Sequence, residues 1–272
     1  MNAWDVIGAQ AYLHISEDGG IQSNVRKIVC KDFDFSPIDE VLDVGCWPGT
    51  ACGEIAPRVK SVTGIDQSPG MISVANQKYA ASNVDFVVAD AHSFGQGWEE
   101  KLDKIICLCV LHWCGDQKRV LQNVFRCLKP GGHFLLRFNL QSQLLSKRCK
   151  YGETGDTWLR AHPKWGPYLT DYEYEQTDWP CADDFLNMFQ SVGFKAVSSQ
   201  AADVTWVKWN AIEIKDHIRI AFGHLRRIPD DLQDECIDDI HRWLVDVTPK
   251  TSEGLPIGPI GRMEALHVVA TK

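Results

Sequence analysis

The chain has 272 residues, 28 basic and 36 acidic, so its formal charge is −8; 44% of its side chains are hydrophobic and 24% charged. This is globular usage and excludes disorder, while the length allows one large α/β domain or two small ones. The acidic balance argues against nucleic-acid binding by phosphate neutralisation, and apolar runs such as Ile105 to Leu111 are far too short to cross a bilayer.

The N-terminus, MNAWDVIGAQ, lacks the basic and apolar regions of a secretory signal, so a soluble cytoplasmic protein is expected. In chain order, strands are expected at Glu40–Val44, Ser61–Ile65, Val84–Val88, Lys104–Leu111 and Gly132–Phe138. Helices are expected near Thr50–Ile55, Pro69–Ala80 and Gln117–Leu128. Ser68-Pro69 supplies an N-cap followed by proline at the first helical position, and Lys129-Pro-Gly-Gly132 stops the third helix. Strand–helix alternation with near-continuous apolar strands implies a parallel sheet covered on both faces.

Residues 140–180 break the rhythm with Trp158, Trp165, Tyr168, Tyr172, Tyr174 and Trp179. These aromatic residues either pack as core or line an apolar pocket. Alternation resumes with a helix at Ala182–Val192 and a strand from Phe194. A mostly helical block follows over Asn210–Val247, then a Pro/Gly-rich stretch, Pro249–Gly261, and a last strand, Ala265–Thr271. The acidic run from Asp230 to Asp239 lacks the alternating pattern of a calcium loop and reads as a solvated helix surface. None of the 10 cysteines forms a C-x-x-C pair. Cys107 and Cys109 are expected on one face of a buried strand; Cys107, Cys109, His112 and Cys114 could be drawn as a metal site, but the cysteines read as buried free thiols. No metal is expected.

The first strand leads into Asp43-Val-Gly45-Cys46-Trp47-Pro-Gly49-Thr. A glycine-rich turn at the carboxyl end of a parallel strand lets a ligand approach backbone amides at the next helix. Asp66 ends the second strand, where a carboxylate can accept both hydroxyls of a ribose, and Asp90, followed by Ala91, ends the third. These residues resemble the class I S-adenosylmethionine-dependent methyltransferases. DVGCWPG is similar to that family's first motif, Gly64-Ile-Asp-Gln-Ser-Pro-Gly-Met71 to its second and Val88-Ala-Asp90-Ala91 to its third. Leu128-Lys-Pro-Gly-Gly132 matches the motif before its fifth strand.

The resemblance implies a Rossmann-like α/β fold: a seven-stranded, mostly parallel sheet with helices on both faces, its last strand antiparallel. The core then covers about 36–139, 181–208 and 263–272, and the insertions, about 140–180 and 209–262, form a mainly helical substrate lid. It also implies a site for S-adenosyl-L-methionine, with S-adenosyl-L-homocysteine as product. Gly45, Cys46, Trp47, Gly49 and Val110 would shape that site. Asp43 would stand near the methionine amino group, Asp66 on the ribose, Gln67 and Met71 beside the adenine, and Asp90 with Ala91 at the adenine edge. Trp47 departs from the pattern, which has glycine there. Its side chain either swings outward as a wall of the site or fills the pocket.

Val110-Leu-His112-Trp113, followed by a helix and KPGG, resembles small-acid methyltransferases, among them juvenile hormone acid methyltransferases and, more distantly, trans-aconitate methyltransferases. Gly20-Ile-Gln22-Ser is similar to the segment that supplies a substrate-facing glutamine in the juvenile hormone group, with Gln10 a competing candidate. A carboxylate acceptor is already ionised at pH 7 and needs no base. Neutral donors such as Gln22, the Trp113 indole and His112 can hold one oxygen and leave the other free. A nitrogen, phenol or thiol acceptor would instead want His112 as base. The expected function is methyl transfer to the carboxylate of a hydrophobic small-molecule acid, with no nucleic-acid or membrane partner. The alternatives are another small-molecule acceptor, or a non-catalytic binding protein whose cofactor site is filled by Trp47.

Overall fold

The computed structural model describes residues 33–140, 154–172, 179, 181–204, 211–247 and 263–272; Gln10, Gln22, Tyr174 and the Pro249–Gly261 stretch lie outside them. Seven strands form one sheet: β1 (Glu40–Val44), β2 (Ser61–Asp66), β3 (Val84–Val88), β4 (Leu102–Leu108), β5 (Leu128–Asn139), β6 (Lys195–Val204) and β7 (Met263–Thr271). Their order is β3-β2-β1-β4-β5-β7-β6. Strands β1 to β5 pair in parallel and β7 runs antiparallel to β5. The described helices are α1 (Thr50–Ile55), α2 (Pro69–Tyr79), α3 (Gln117–Cys127), α4 (Gly155–Ala161), α5 (Ala182–Ser191), α6 (Ala211–Ala221) and α7 (Gln233–Val247).

The strand order reverses between β1 and β4. In an open parallel sheet that reversal opens a crevice beyond the carboxyl ends of the strands, where ligands bind. Both faces are covered. On one, Leu42, Val44, Phe134, Leu136 and Phe138 pack with α3 and α5; on the other, Val41, Ile106, Leu108 and Leu135 pack with α1. Local chemistry sets the helix starts. The Ser68 hydroxyl accepts from the Met71 amide (3.3 Å) ahead of Pro69, and the Asp116 carboxylate accepts from the Arg119 amide (3.0 Å) ahead of α3.

Three expectations are corrected. Strand β4 stops at Leu108, because Cys109 turns left-handed (φ +58°) and Leu111–Trp113 form a 3₁₀ turn, so Cys107 and Cys109 do not share a strand face. Lys129-Pro-Gly-Gly132 lies within β5 instead of preceding it. Leu102 pairs with Leu128 and Lys104 with His133, so three extra residues bulge out, helped by Gly131 at φ +76°. Strand β3 is an edge strand with Val87 and Val88 exposed, not a strand buried on both faces.

A second compact unit contains α4, α6, α7 and short 3₁₀ turns. Its described aromatic residues divide: Trp165 and Phe222 are buried, Trp158, Tyr172 and Trp243 half-buried, and Tyr168 exposed. Trp165 is fully buried and donates its indole N–H to Asp239 (2.9 Å), while Trp158 stacks on Trp243 with ring centroids 5.4 Å apart. The acidic run makes surface ion pairs: Asp234 with Arg219, Glu235 with Lys164 and Asp238 with Lys215. No helix among the described residues is long and apolar enough to cross a membrane.

Phe189 of α5 stacks on Phe194 (4.6 Å between centroids) and on Phe134 of β5 (6.2 Å), tying the helix to the sheet. Phe189→Ala is therefore expected to cost about 3–5 kcal/mol in urea unfolding; a loss below about 1 kcal/mol would contradict this role for the aromatic stack.

Candidate active site

The loop after β1 is fastened to the end of β2. The amides of Gly45 and Cys46 both donate to the Ile65 carbonyl (2.8 and 2.9 Å), and the Trp47 amide donates to Asp66 Oδ2 (3.1 Å). The other oxygen of Asp66 accepts from the Ser68 amide (2.9 Å), so one carboxylate joins the glycine loop to the start of α2. Burial raises the Asp66 pKa, and these two amides pull it back down. The loop needs left-handed backbone at Gly45 (φ +72°), Trp47 (φ +54°) and Gly49 (φ +84°). At Gly45 a Cβ would sit 2.3 Å from the Val110 side chain, so glycine there lets Val110 close over the loop. Trp47 takes a conformation that glycine adopts freely, at a cost of about 1–3 kcal/mol for a side chain.

The neighbouring strand end adds two more of the expected residues. The Ala89 amide donates to the Asp66 carbonyl (3.0 Å), aligning the end of β3 with the end of β2. Asp90 is exposed and accepts from the His92 amide (2.9 Å) and from its ring (2.9 Å); the amide first, then the ring, hold its carboxyl below the usual range. Asp43 is buried in β1, where the Cys52 thiol donates to it (3.5 Å). Met71 is buried in the first turn of α2, and Gln67 is exposed just before it.

Helix α3 supports this edge in a way the sequence did not announce. Asn123 donates to the Ala91 carbonyl (3.1 Å), Arg119 to that of His92 (2.8 Å) and Arg126 to that of Phe94 (3.0 Å). Spacing of four and three residues puts these donors on one helix face, which is the sequence signal available; their carbonyl partners are visible only in the fold.

After β4, His112 and Trp113 lie on the 3₁₀ turn with ring centroids 5.3 Å apart. His112 is buried, its Nδ1 has no hydrogen-bond partner among the described residues, and burial pushes its pKa down to about 3. The ring is therefore neutral at pH 7. Five residues on, Gln117 is also buried. Its Oε1 accepts from the Trp179 indole N–H (2.8 Å), which fixes the amide orientation because an indole only donates. Its Nε2 has no partner among the described residues. The structure thus links Gly45, Cys46, Trp47, Asp66 and Val110 directly, and sets Asp90, His112 and Trp113 on loops at the same carboxyl edge. Gln22 lies outside the described residues.

This donor set fits a nucleoside cofactor. Each oxygen of Asp66 keeps a second lone pair for a diol, Asp90 offers acceptors to an amino group, and left-handed glycines leave the loop backbone approachable.

Residues 42–136 match the family described as "Methyltransferase domain". The chain is 25% identical over 209 residues to the juvenile hormone acid O-methyltransferase of Drosophila melanogaster, covering 74% of this chain and 69% of that protein. It is 29% identical over 145 residues to CRG1 of Saccharomyces cerevisiae, named as a probable S-adenosylmethionine-dependent methyltransferase, covering 50% of this chain and 47% of that one. The chain thus spans about half the length of this yeast relative. Among solved structures, phosphoethanolamine N-methyltransferase 2 of Haemonchus contortus with S-adenosyl-L-methionine shares the fold (TM-score 0.60, 16% identity, 97% of this chain and 56% of that one). A Haloferax volcanii methyltransferase complexed with the Trm112 activator also shares it (TM-score 0.61, 17% identity, 100% and 98% covered).

The neutrality of His112 has a stability consequence. In the unfolded chain the ring takes a proton near pH 6.5, whereas the folded ring does so only near 3, so the unfolded state binds more protons between these values and stability falls as pH drops. At pH 5 this amounts to roughly 2 kcal/mol. His112→Asn should lose less Tm than wild type between pH 7 and pH 5; parallel curves would contradict the buried neutral ring.

Proposed function

We propose, for a chain that belongs to the class I S-adenosylmethionine-dependent methyltransferases, that it methylates the carboxylate of a hydrophobic small-molecule acid such as a juvenile hormone acid, farnesoic acid or a fatty acid. The observation that carries the acceptor class is the buried, neutral His112 on the turn after β4. A general base works best with a pKa near the operating pH, and a ring that protonates near 3 is far from that. A carboxylate asks for no base; it asks for neutral donors and exclusion of water. The similarity to a relative named as an acid O-methyltransferase supports the same choice.

When bound, S-adenosylmethionine supplies an electrophilic methyl on a sulfonium. In the proposed assignment Asp43 faces the methionine amino group, Asp66 takes the ribose hydroxyls, Gln67 and Met71 flank the adenine, and Asp90 with Ala91 meets its edge. Gly45, Cys46, Trp47, Gly49 and Val110 wall the loop. His112 and Trp113 hold one oxygen of the acceptor as neutral donors, with Gln22 proposed as a third, so the other oxygen keeps its charge for in-line attack. Trp47 keeps its strained backbone because the loop path it follows is the one the cofactor needs; backbone strain of this size concentrates at ligand sites.

Purified protein given methyl-labelled S-adenosylmethionine and these acids should form methyl esters, with a rate independent of pH between about 6 and 8.5, and His112→Asn should lower the rate without abolishing it. Absence of ester, or an inflection near pH 6–7 that vanishes with His112→Asn, would contradict the carboxylate acceptor.

A further inference from the structure

Arg137 lies near the carboxyl end of β5 and is only 8% exposed. Among the described residues it has no acidic partner and makes no side-chain hydrogen bond or cation–π contact, although its nitrogens are not among the fully covered polar atoms. An arginine withdrawn this far from water is almost always paired, since burying a lone cation is strongly unfavourable. Its surroundings offer no compensation. Arg137 pairs across β4 with Leu108 and across β7 with His267, neither of them anionic.

Sheet register places this cation within reach of the site. Residues paired across a sheet share a face. Asp43 pairs with Ile106, and Arg137 with Leu108 two residues further toward the carboxyl edge. Ile106 and Leu108 belong to one core cluster, so Asp43 and Arg137 stand on the same face, two strand spacings and about 12 Å apart. Asn139 follows on that face at the strand's last position. A guanidinium and an amide at the carboxyl edge, with no anion among the described residues to meet them, form a receptor for a planar anion.

We propose that Arg137 binds the carboxylate of a small-molecule ligand. Two sources share that chemistry: the methionine end of the cofactor, for which Asp43 is the proposed amino partner, and the acid substrate. The inference rests on the proposed function. In a monocarboxylic acid the guanidinium would share the oxygen held by His112 and Trp113, leaving the other oxygen free for attack.

Calorimetry on wild type, Arg137→Met and Arg137→Lys separates the cases. The probes are S-adenosylhomocysteine, its decarboxylated analogue, and dodecanoate and farnesoate added to the S-adenosylhomocysteine complex, with dodecanol as the uncharged control. Arg137→Met should lose about 10- to 100-fold affinity for the carboxylate probe that uses the site and none for its uncharged counterpart, with Arg137→Lys in between. A loss for S-adenosylhomocysteine alone assigns the cofactor; a loss for the acids alone assigns the substrate. Free Arg137→Met should melt no lower than wild type, because an unpaired buried cation has been replaced by an apolar chain of similar size. Equal binding of every probe by wild type and Arg137→Met overturns the proposal, as does a large fall in Tm with charged and uncharged probes lost together. Wild type that binds S-adenosylhomocysteine but neither acid removes the acid reading of function, and leaves Arg137 to be judged on the cofactor alone.

Discussion

One carboxylate holds the candidate site together. Asp66 accepts from the Trp47 amide on one oxygen and the Ser68 amide on the other, so the loop after β1 and the start of α2 keep a fixed relation across the switch point of the sheet. The ionised group is held against its folding preference. Burial raises its pKa, so the folded state binds the proton more tightly than the unfolded chain, and stability is lost as pH rises through that range. A buried carboxylate at the edge of a parallel sheet, with lone pairs to spare, is a candidate ligand-binding group.

Several unfavourable features lie in the segments that follow β1 and β4. Trp47 sits in left-handed backbone, Cys109 does the same where β4 ends, and the buried polar atoms His112 Nδ1 and Gln117 Nε2 lack partners among the described residues. Other elements are conventional: stacked phenylalanines under α5, a capped α2 and α3, and ion pairs along α7. Helix α3 bridges the two kinds, packing Val120 and Val124 into the core while Arg119, Asn123 and Arg126 fix the loop that carries Asp90.

Much of this was legible in the residues. The bounds of β1, α1 and β3, the Ser68 cap and the parallel sheet follow from patterning and turn chemistry, which act locally, whereas the antiparallel last strand was implied by the family resemblance. The acids ending successive strands were readable for the same reason. What escaped depends on tertiary placement. Nothing in VDFVV says that its strand is the sheet edge, and the bulge at Lys129–Gly132 is defined only by register against β4. Trp158 and Trp165 could line a pocket or fill a core, and only the partners Trp243 and Asp239 decide for core. Arg137, a charged letter in the apolar run Phe134–Phe138, becomes informative only when its described neighbours prove to hold no anion.

The central claim is that the loop after β1 forms a working cofactor site with Trp47 in place, organised by Asp66. Calorimetric titration of the purified protein with S-adenosylhomocysteine tests it most directly, with Asp66→Asn and Trp47→Gly alongside. Wild type should bind one equivalent with affinity on the order of micromolar, and Asp66→Asn should weaken it by about tenfold or more. Wild type that fails to bind, while Trp47→Gly binds, would contradict the claim and show the indole filling the place of the cofactor.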